Sequence, residues 1–175
     1  MRKLIERQKV GPVISGVEIL GAVLIAGVLE LLQAQILPGF LQPKWSLVFV
    51  LYIGWYSSAV KAAFCGTIFG LLEDFLLGLF FGLNGLSRTV LGYFVSWLSR
   101  WVATEGGIIR AACIAAFALL ETFIILALLS ILGTKLPAFV WWQELVKSIV
   151  TGIVGELVFR FYNAVRLPPS DFRQM

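Results

Sequence analysis

Histidine is absent from this 175-residue chain, cysteine occurs twice, and charged residues make up only 14%. Without histidine there is no Ser-His-Asp triad, no HExxH metal site and no imidazole proton shuttle. The two cysteines, Cys65 and Cys113, fall inside apolar runs and outside any CxxC spacing. That excludes a thiolate metal site and leaves them as small apolar core residues. A Walker A loop, a GxSxG elbow and an EF-hand loop are missing too. Nothing in the pattern supplies a catalytic residue or calls for a metal or cofactor, so the chain reads as non-enzymatic.

What is present is apolar. Hydrophobic residues make up 59% of the chain and the mean hydropathy is +0.93, whereas ordinary globular chains are nearer half apolar and a quarter charged. This composition predicts an all-α integral membrane protein. A span needs about 20 apolar residues, so the length admits five or six spans and no soluble catalytic domain. Arg2, Lys3, Arg7 and Lys9 precede a long apolar run that has no small-residue cleavage pattern; it reads as a retained first helix rather than a signal peptide. Residues 1–175 then form a single transmembrane domain. Its six helices are expected at about 13–37, 45–60, 62–79, 86–102, 108–132 and 138–162. Pro38-Gly39 stops the first, and Pro43 opens the second near its first turn.

Six spans place both termini on one side. That side collects Arg2, Lys3, Arg7, Lys9, Lys61, Arg100, Arg110, Arg160, Arg166 and Arg173, against Lys44, Arg88 and Lys135 opposite and Lys147 within the sixth helix. The asymmetry follows the positive-inside rule and predicts cytoplasmic termini. The net charge of +4 thus speaks of orientation, not of nucleic-acid binding. Trp45, Trp141 and Trp142 fall at the expected outer interface, with Trp97 and Trp101 near the inner one.

Seven of the ten carboxylates lie inside the expected spans: Glu18, Glu30, Glu73, Asp74, Glu121, Glu144 and Glu156. An ionised carboxylate at mid-bilayer costs at least roughly 2.5–3.5 kcal/mol, so the adjacent pair Glu73 and Asp74 marks a site for a cation, a proton, a partner or another helix. Small residues gather nearby, because helices in lipid pack where backbones can approach. Ala62, Gly66, Gly70, Asp74 and Gly78 repeat every fourth residue; Gly85, Thr89, Gly92, Ser96 and Ser99 share one face of the next helix; Glu144, Lys147, Ser148, Thr151 and Gly155 share one face of the last. Glu144 and Lys147 are spaced to pair directly. Glu73, Asp74 and Glu121 would then share one mid-depth cation, Lys147, so some acids are expected neutral or hydrogen-bonded. Glu18, Glu30 and Glu156, near the interfaces, are expected to snorkel toward water. Either these groups line an outer-half polar pocket or they are buried polar contacts that fix helix register. Asp74 belongs to the small-residue stripe and Glu73 points about 100° away from it, so the two acids have different tasks.

The stretch AAFCGTIFGLLEDFLLGLFFGLNGLSRTVLGYFVSW, Ala62 to Trp97, resembles the core of the MreD family of bacterial rod shape-determining membrane proteins. The resembling features are Gly70-Leu71-Leu72 with Asp74, the connector Gly82-Leu83-Asn84-Gly85-Leu86, and Gly92-Tyr93. The LQP…YIGWYSS segment before it fits as well. Glu73 and the charges of the last two helices have no counterpart in that pattern. The resemblance implies a membrane scaffold of the cell-elongation (Rod) complex in the inner membrane, binding MreC, a bitopic protein with a large extracytoplasmic domain. Through MreC it would support MreB, RodA and its penicillin-binding transpeptidase, with homodimerisation left open. Gly66, Gly70, Glu73, Asp74, Gly82, Asn84, Gly92, Tyr93, Glu121, Glu144 and Lys147 are the expected partner or pocket residues. The family's bundle is similar to the substrate-binding S-components of energy-coupling-factor vitamin transporters, which makes an S-component the rival reading; Ala22 and Ala26 have the Ala-x-x-x-Ala spacing of such proteins. A proton-coupled transporter built on Glu73, Asp74 or Glu121 is the third.

Overall fold

Proline and glycine punctuate long apolar runs, and the backbone follows them. The structure is a computed structural model that describes residues 16–77, 82–99, 107–133 and 141–166. Every regular element among these residues is helical. Helix α1 (Gly16–Ile36) ends just before Pro38 and is followed by a 3-10 turn, Gly39–Leu41. Helices α2 (Trp45–Tyr56), α3 (Ala59–Leu77), α4 (Leu83–Leu98), α5 (Gly107–Ile131) and α6 (Trp141–Arg166) complete the set.

Apolar on every side, α2 sits at the centre, as such a helix must. Val50 and Ile53 join Val23 and Ala26 of α1 and Cys65 and Phe69 of α3 in one cluster. On the other side Leu47, Leu51 and Tyr52 join Leu91 and Val95 of α4, Ile114 and Phe117 of α5, and Phe159 of α6. With 12 residues, α2 rises only about 18 Å, short of the ~30 Å hydrocarbon core. Its start is held inside protein: the Lys44 N–H donates to Thr151 of α6 (3.2 Å) and the Ser46 N–H to Glu30 of α1 (3.0 Å). Buried backbone groups require such partners.

Helices α3 and α4 are pressed together along their small residues. A Cβ added at Gly66 would overlap the Arg88 backbone, one at Gly70 the Asn84 backbone, and one at Gly92 would stand 2.6 Å from the Ala62 carbonyl oxygen. The stripe Ala62, Gly66, Gly70 and Asp74 is buried along its described length, as are Gly85, Gly92 and Ser96 on α4 and Ser99 just past its end. Gly78 lies outside the described residues.

One expectation changes here. Helix α4 begins at Leu83, not near 86, so Asn84 and Gly85 belong to its first turn rather than to a connector. The cause is a side-chain cap that reaches this turn from α3. Trp45 is half-buried and donates its indole N–H to Gln33 of α1 (2.8 Å). Among the described residues α5 is the one helix long and apolar enough, by length and composition, to cross a membrane unaided; 19–33 and α2 are shorter apolar helices. Helices α3 and α6 carry Glu73, Asp74, Glu144, Lys147 and Glu156 within their length, and where those charges go decides how the bundle holds together.

Candidate functional site

Asp74 occupies the last turn of α3 and faces the open N-terminus of α4. Its Oδ2 accepts the N–H groups of Gly82 (2.8 Å) and Gly85 (3.3 Å), and its Oδ1 accepts that of Asn84 (3.3 Å). The first N–H groups of any helix lack intrahelical partners and carry its positive dipole end. A carboxylate delivered from the preceding helix satisfies both needs. Gly82 makes the approach feasible by adopting φ 100°, ψ −9°, a left-handed conformation open to glycine at little cost. Asp74 is thus a cap rather than a free acid.

Glu73, one residue earlier, points elsewhere. Its Oε2 pairs with Nη1 of Arg88 and accepts the Ser46 hydroxyl at 2.5 Å. The Arg88 Nε donates to Glu121 Oε1 of α5 at 2.7 Å. Arg88 and Glu121 are each 1% exposed. The other Glu121 oxygen, Oε2, lies 2.9 Å from the Lys44 Nζ, which also donates to the Thr122 hydroxyl (3.0 Å) and the Ala118 carbonyl (3.2 Å). Thr122 in turn donates to Glu144 of α6 (3.0 Å). At the other end Ser46 bonds Glu30 of α1 through its hydroxyl and its N–H. The result is a chain, Glu30–Ser46–Glu73–Arg88–Glu121–Lys44–Thr122–Glu144, in which each of the six helices among the described residues has a member.

Several expectations are corrected by this geometry. Lys147 is not the cation that serves the acids; Arg88 and Lys44, both assigned to the outer loop side, turn inward and do so. No ion pair joins Glu144 to Lys147 among the described residues: the Glu144 carboxylate takes the Thr122 hydroxyl, while the Lys147 carbonyl accepts from Thr151 (2.7 Å). Glu30 does not snorkel toward water but is buried against Ser46 of α2, bonded to its N–H and its hydroxyl. Glu156 does not either. Arg110 grips it with a two-point fork (2.6 and 2.7 Å), and Arg160 adds a third contact at 2.8 Å. The side chain of Glu18 lies outside the described residues, as do Arg100, Trp101 and Lys135.

Of the expected site residues, Gly66, Gly70 and Gly92 are points of close backbone approach, Gly82 and Asn84 form the capped turn, and Glu73, Glu121 and Glu144 are links of the chain. Tyr93, at 57% exposure, faces away from all of them. A shallow apolar crevice does exist, lined by Ile19, Ala22, Phe49, Tyr52, Ile53, Val158 and Tyr162. It carries none of the acids. Arg88, Lys44 and Ser46 complete the chain, and none of the three is among the site residues expected from the sequence. Arg88 had a signal: it lies three residues after Gly85 and four before Gly92, on the small-residue face of α4.

A family model described as rod shape-determining protein MreD matches residues 13–165. No curated protein and no solved structure matches the chain.

Proposed function

The chain belongs to the MreD family of rod shape-determining proteins, and from that premise we propose that it is a non-enzymatic scaffold of the bacterial inner membrane that binds MreC in the cell-elongation complex. Family membership gives the role in cell shape and the bacterial membrane setting. The scaffold reading adds how the role is performed: by presenting a rigid helical surface, without turnover. Six spans with both termini cytoplasmic are part of the same reading, supported by the ten basic residues on one side, against which only Lys135 stands opposite once Lys44 and Arg88 are turned into the bundle.

One observation carries it. The buried carboxylates are met by donors of this same chain, from Asp74 on the α4 backbone to Glu121 between Arg88 and Lys44. A transport or vitamin site would need polar groups that turn toward a ligand. Here they turn toward each other, which favours a bundle built to hold one shape. In lipid, where apolar contact between helices gains little over contact with acyl chains, such contacts specify the arrangement. The α3–α4 pair and the Gly82 turn are the proposed functional core. MreB, RodA and its transpeptidase would be reached through MreC.

The test is expression in a rod-shaped host depleted of its own family member, with tagged MreC. Wild-type protein restores rods and co-purifies with MreC. Asp74→Leu inserts in the membrane but gives rounded cells and reduced MreC. Normal rods with undiminished MreC from Asp74→Leu would sink the assignment of this core, and co-purification with an ATPase module plus tight vitamin binding would replace the scaffold by an S-component.

A further inference from the structure

Ser46 holds two carboxyl groups with one hydroxyl. Its Oγ bonds Oε1 of Glu30 and lies 2.5 Å from Oε2 of Glu73. A serine hydroxyl donates one proton, and an ionised carboxylate donates none. With both acids ionised, one of these two contacts would set lone pair against lone pair.

We propose that Glu30 is a proton-binding site, its neutral carboxyl donating to Ser46, which donates in turn to the Glu73 carboxylate. The direction follows from the neighbours. Glu73 Oε2 also faces the Arg88 guanidinium, where a carboxylate is favoured and a carboxylic O–H is not. Among the described residues Glu30 has no cation as a hydrogen-bond partner; it receives the Ser46 N–H, which an acid hydroxyl oxygen still accepts. Gln33, one turn along α1, is engaged with Trp45 and the Pro43 carbonyl.

A charge count reaches the same result independently. In the buried part of the chain, among the described residues, Glu30, Glu73 and Glu121 meet Arg88 and Lys44, three acids against two cations; Glu144, at the far end, is half-buried in the first turn of α6, where the helix dipole favours its charge. The nearby Asp74 is compensated by three backbone N–H groups. An unmatched charge in a buried site costs several kcal/mol, so one bound proton balances the group. Without it, two carboxylates would share one hydroxyl and α1 would be pushed from the α2–α3 pair. Proton occupancy therefore sets whether the Glu30 contact adds to the hold that Val23, Ala26 and Gln33 already give α1. None of this depends on the scaffold reading.

The experiment is infrared spectroscopy of the full chain in nanodiscs at neutral pH, in H2O and D2O. The expected result is a protonated-carboxyl C=O band that shifts on deuteration, disappears in Glu30→Gln and moves in Ser46→Ala. A wild-type spectrum without that band, or a band unchanged in Glu30→Gln, overturns the proposal. Thermal melting gives a second readout. Glu30→Gln, a neutral isostere able to donate to Ser46, melts as wild type, whereas Glu73→Gln melts lower because Arg88 loses a counter-charge. If Glu30→Gln loses as much stability as Glu73→Gln, or does not fold, Glu30 is a carboxylate and the proposal fails.

Discussion

Arg88 of α4 and Glu121 of α5, 33 residues apart in sequence, meet with Nε 2.7 Å from Oε1. Each is extended by a second partner, Glu73 for the arginine and Lys44 for the glutamate. The pair is therefore the middle of a chain, and its weight in the fold comes from what lies on either side.

Arg88→Met removes the central cation and leaves Glu73 without its charge partner and Glu121 with Lys44 alone. Breaking a buried pair from one side costs about 3–5 kcal/mol. The expected outcome is little folded protein in detergent and a large fall in melting temperature. Arg88→Lys restores the charge but cannot address two carboxylates with a planar fork, so it should melt between the two. An Arg88→Met protein as stable as wild type would remove the chain from the account of the fold.

Asp74→Ala exposes the three N–H groups at the start of α4. Loss of a cap costs roughly 0.5–2 kcal/mol, and burial of this turn puts the expectation at the upper end. Asp74→Asn keeps an acceptor but not the charge facing the helix dipole, and should lose about half as much. Amide exchange at Gly82 to Gly85 reads the effect locally: both variants should speed exchange there and leave α5 unchanged.

Three glycine substitutions separate space from backbone conformation. Gly66→Ala drives a Cβ into the Arg88 backbone, so α3 and α4 must part and the melting temperature should fall sharply. Gly82→Ala meets nothing within 4 Å but must hold φ 100°, a penalty of about 1–2 kcal/mol. Gly21→Ala meets nothing within 4 Å and has an ordinary helical backbone, and should be neutral or slightly stabilising. Equal effects of the Gly66 and Gly21 changes would refute the close approach of α3 and α4.

Local composition was enough to read several features from the sequence. Long apolar runs broken at Pro38 and Gly133 specify helices whatever they pack against. The four-residue repeat of Ala62, Gly66, Gly70 and Asp74 marks a face where another backbone approaches, because a helix returns to the same side every 3.6 residues. The different directions of Glu73 and Asp74 follow from the same arithmetic.

The sequence by itself determined that this is a helical, apolar, MreD-type chain with acids in costly places and a small-residue seam between α3 and α4. Only the tertiary structure decided what each acid meets. Lys44 reads as an outer-loop charge until its amine is seen 2.9 Å from Glu121, a residue 77 positions later (121 − 44). Glu30 reads as an interfacial acid until Ser46 is brought against it by the turn at Pro38–Pro43. The physical reason is range. Helix formation and small-residue packing repeat within a few residues and leave a periodic trace. A buried charge is settled by whichever partner the assembled helices place within about 3 Å, and no local pattern names that partner.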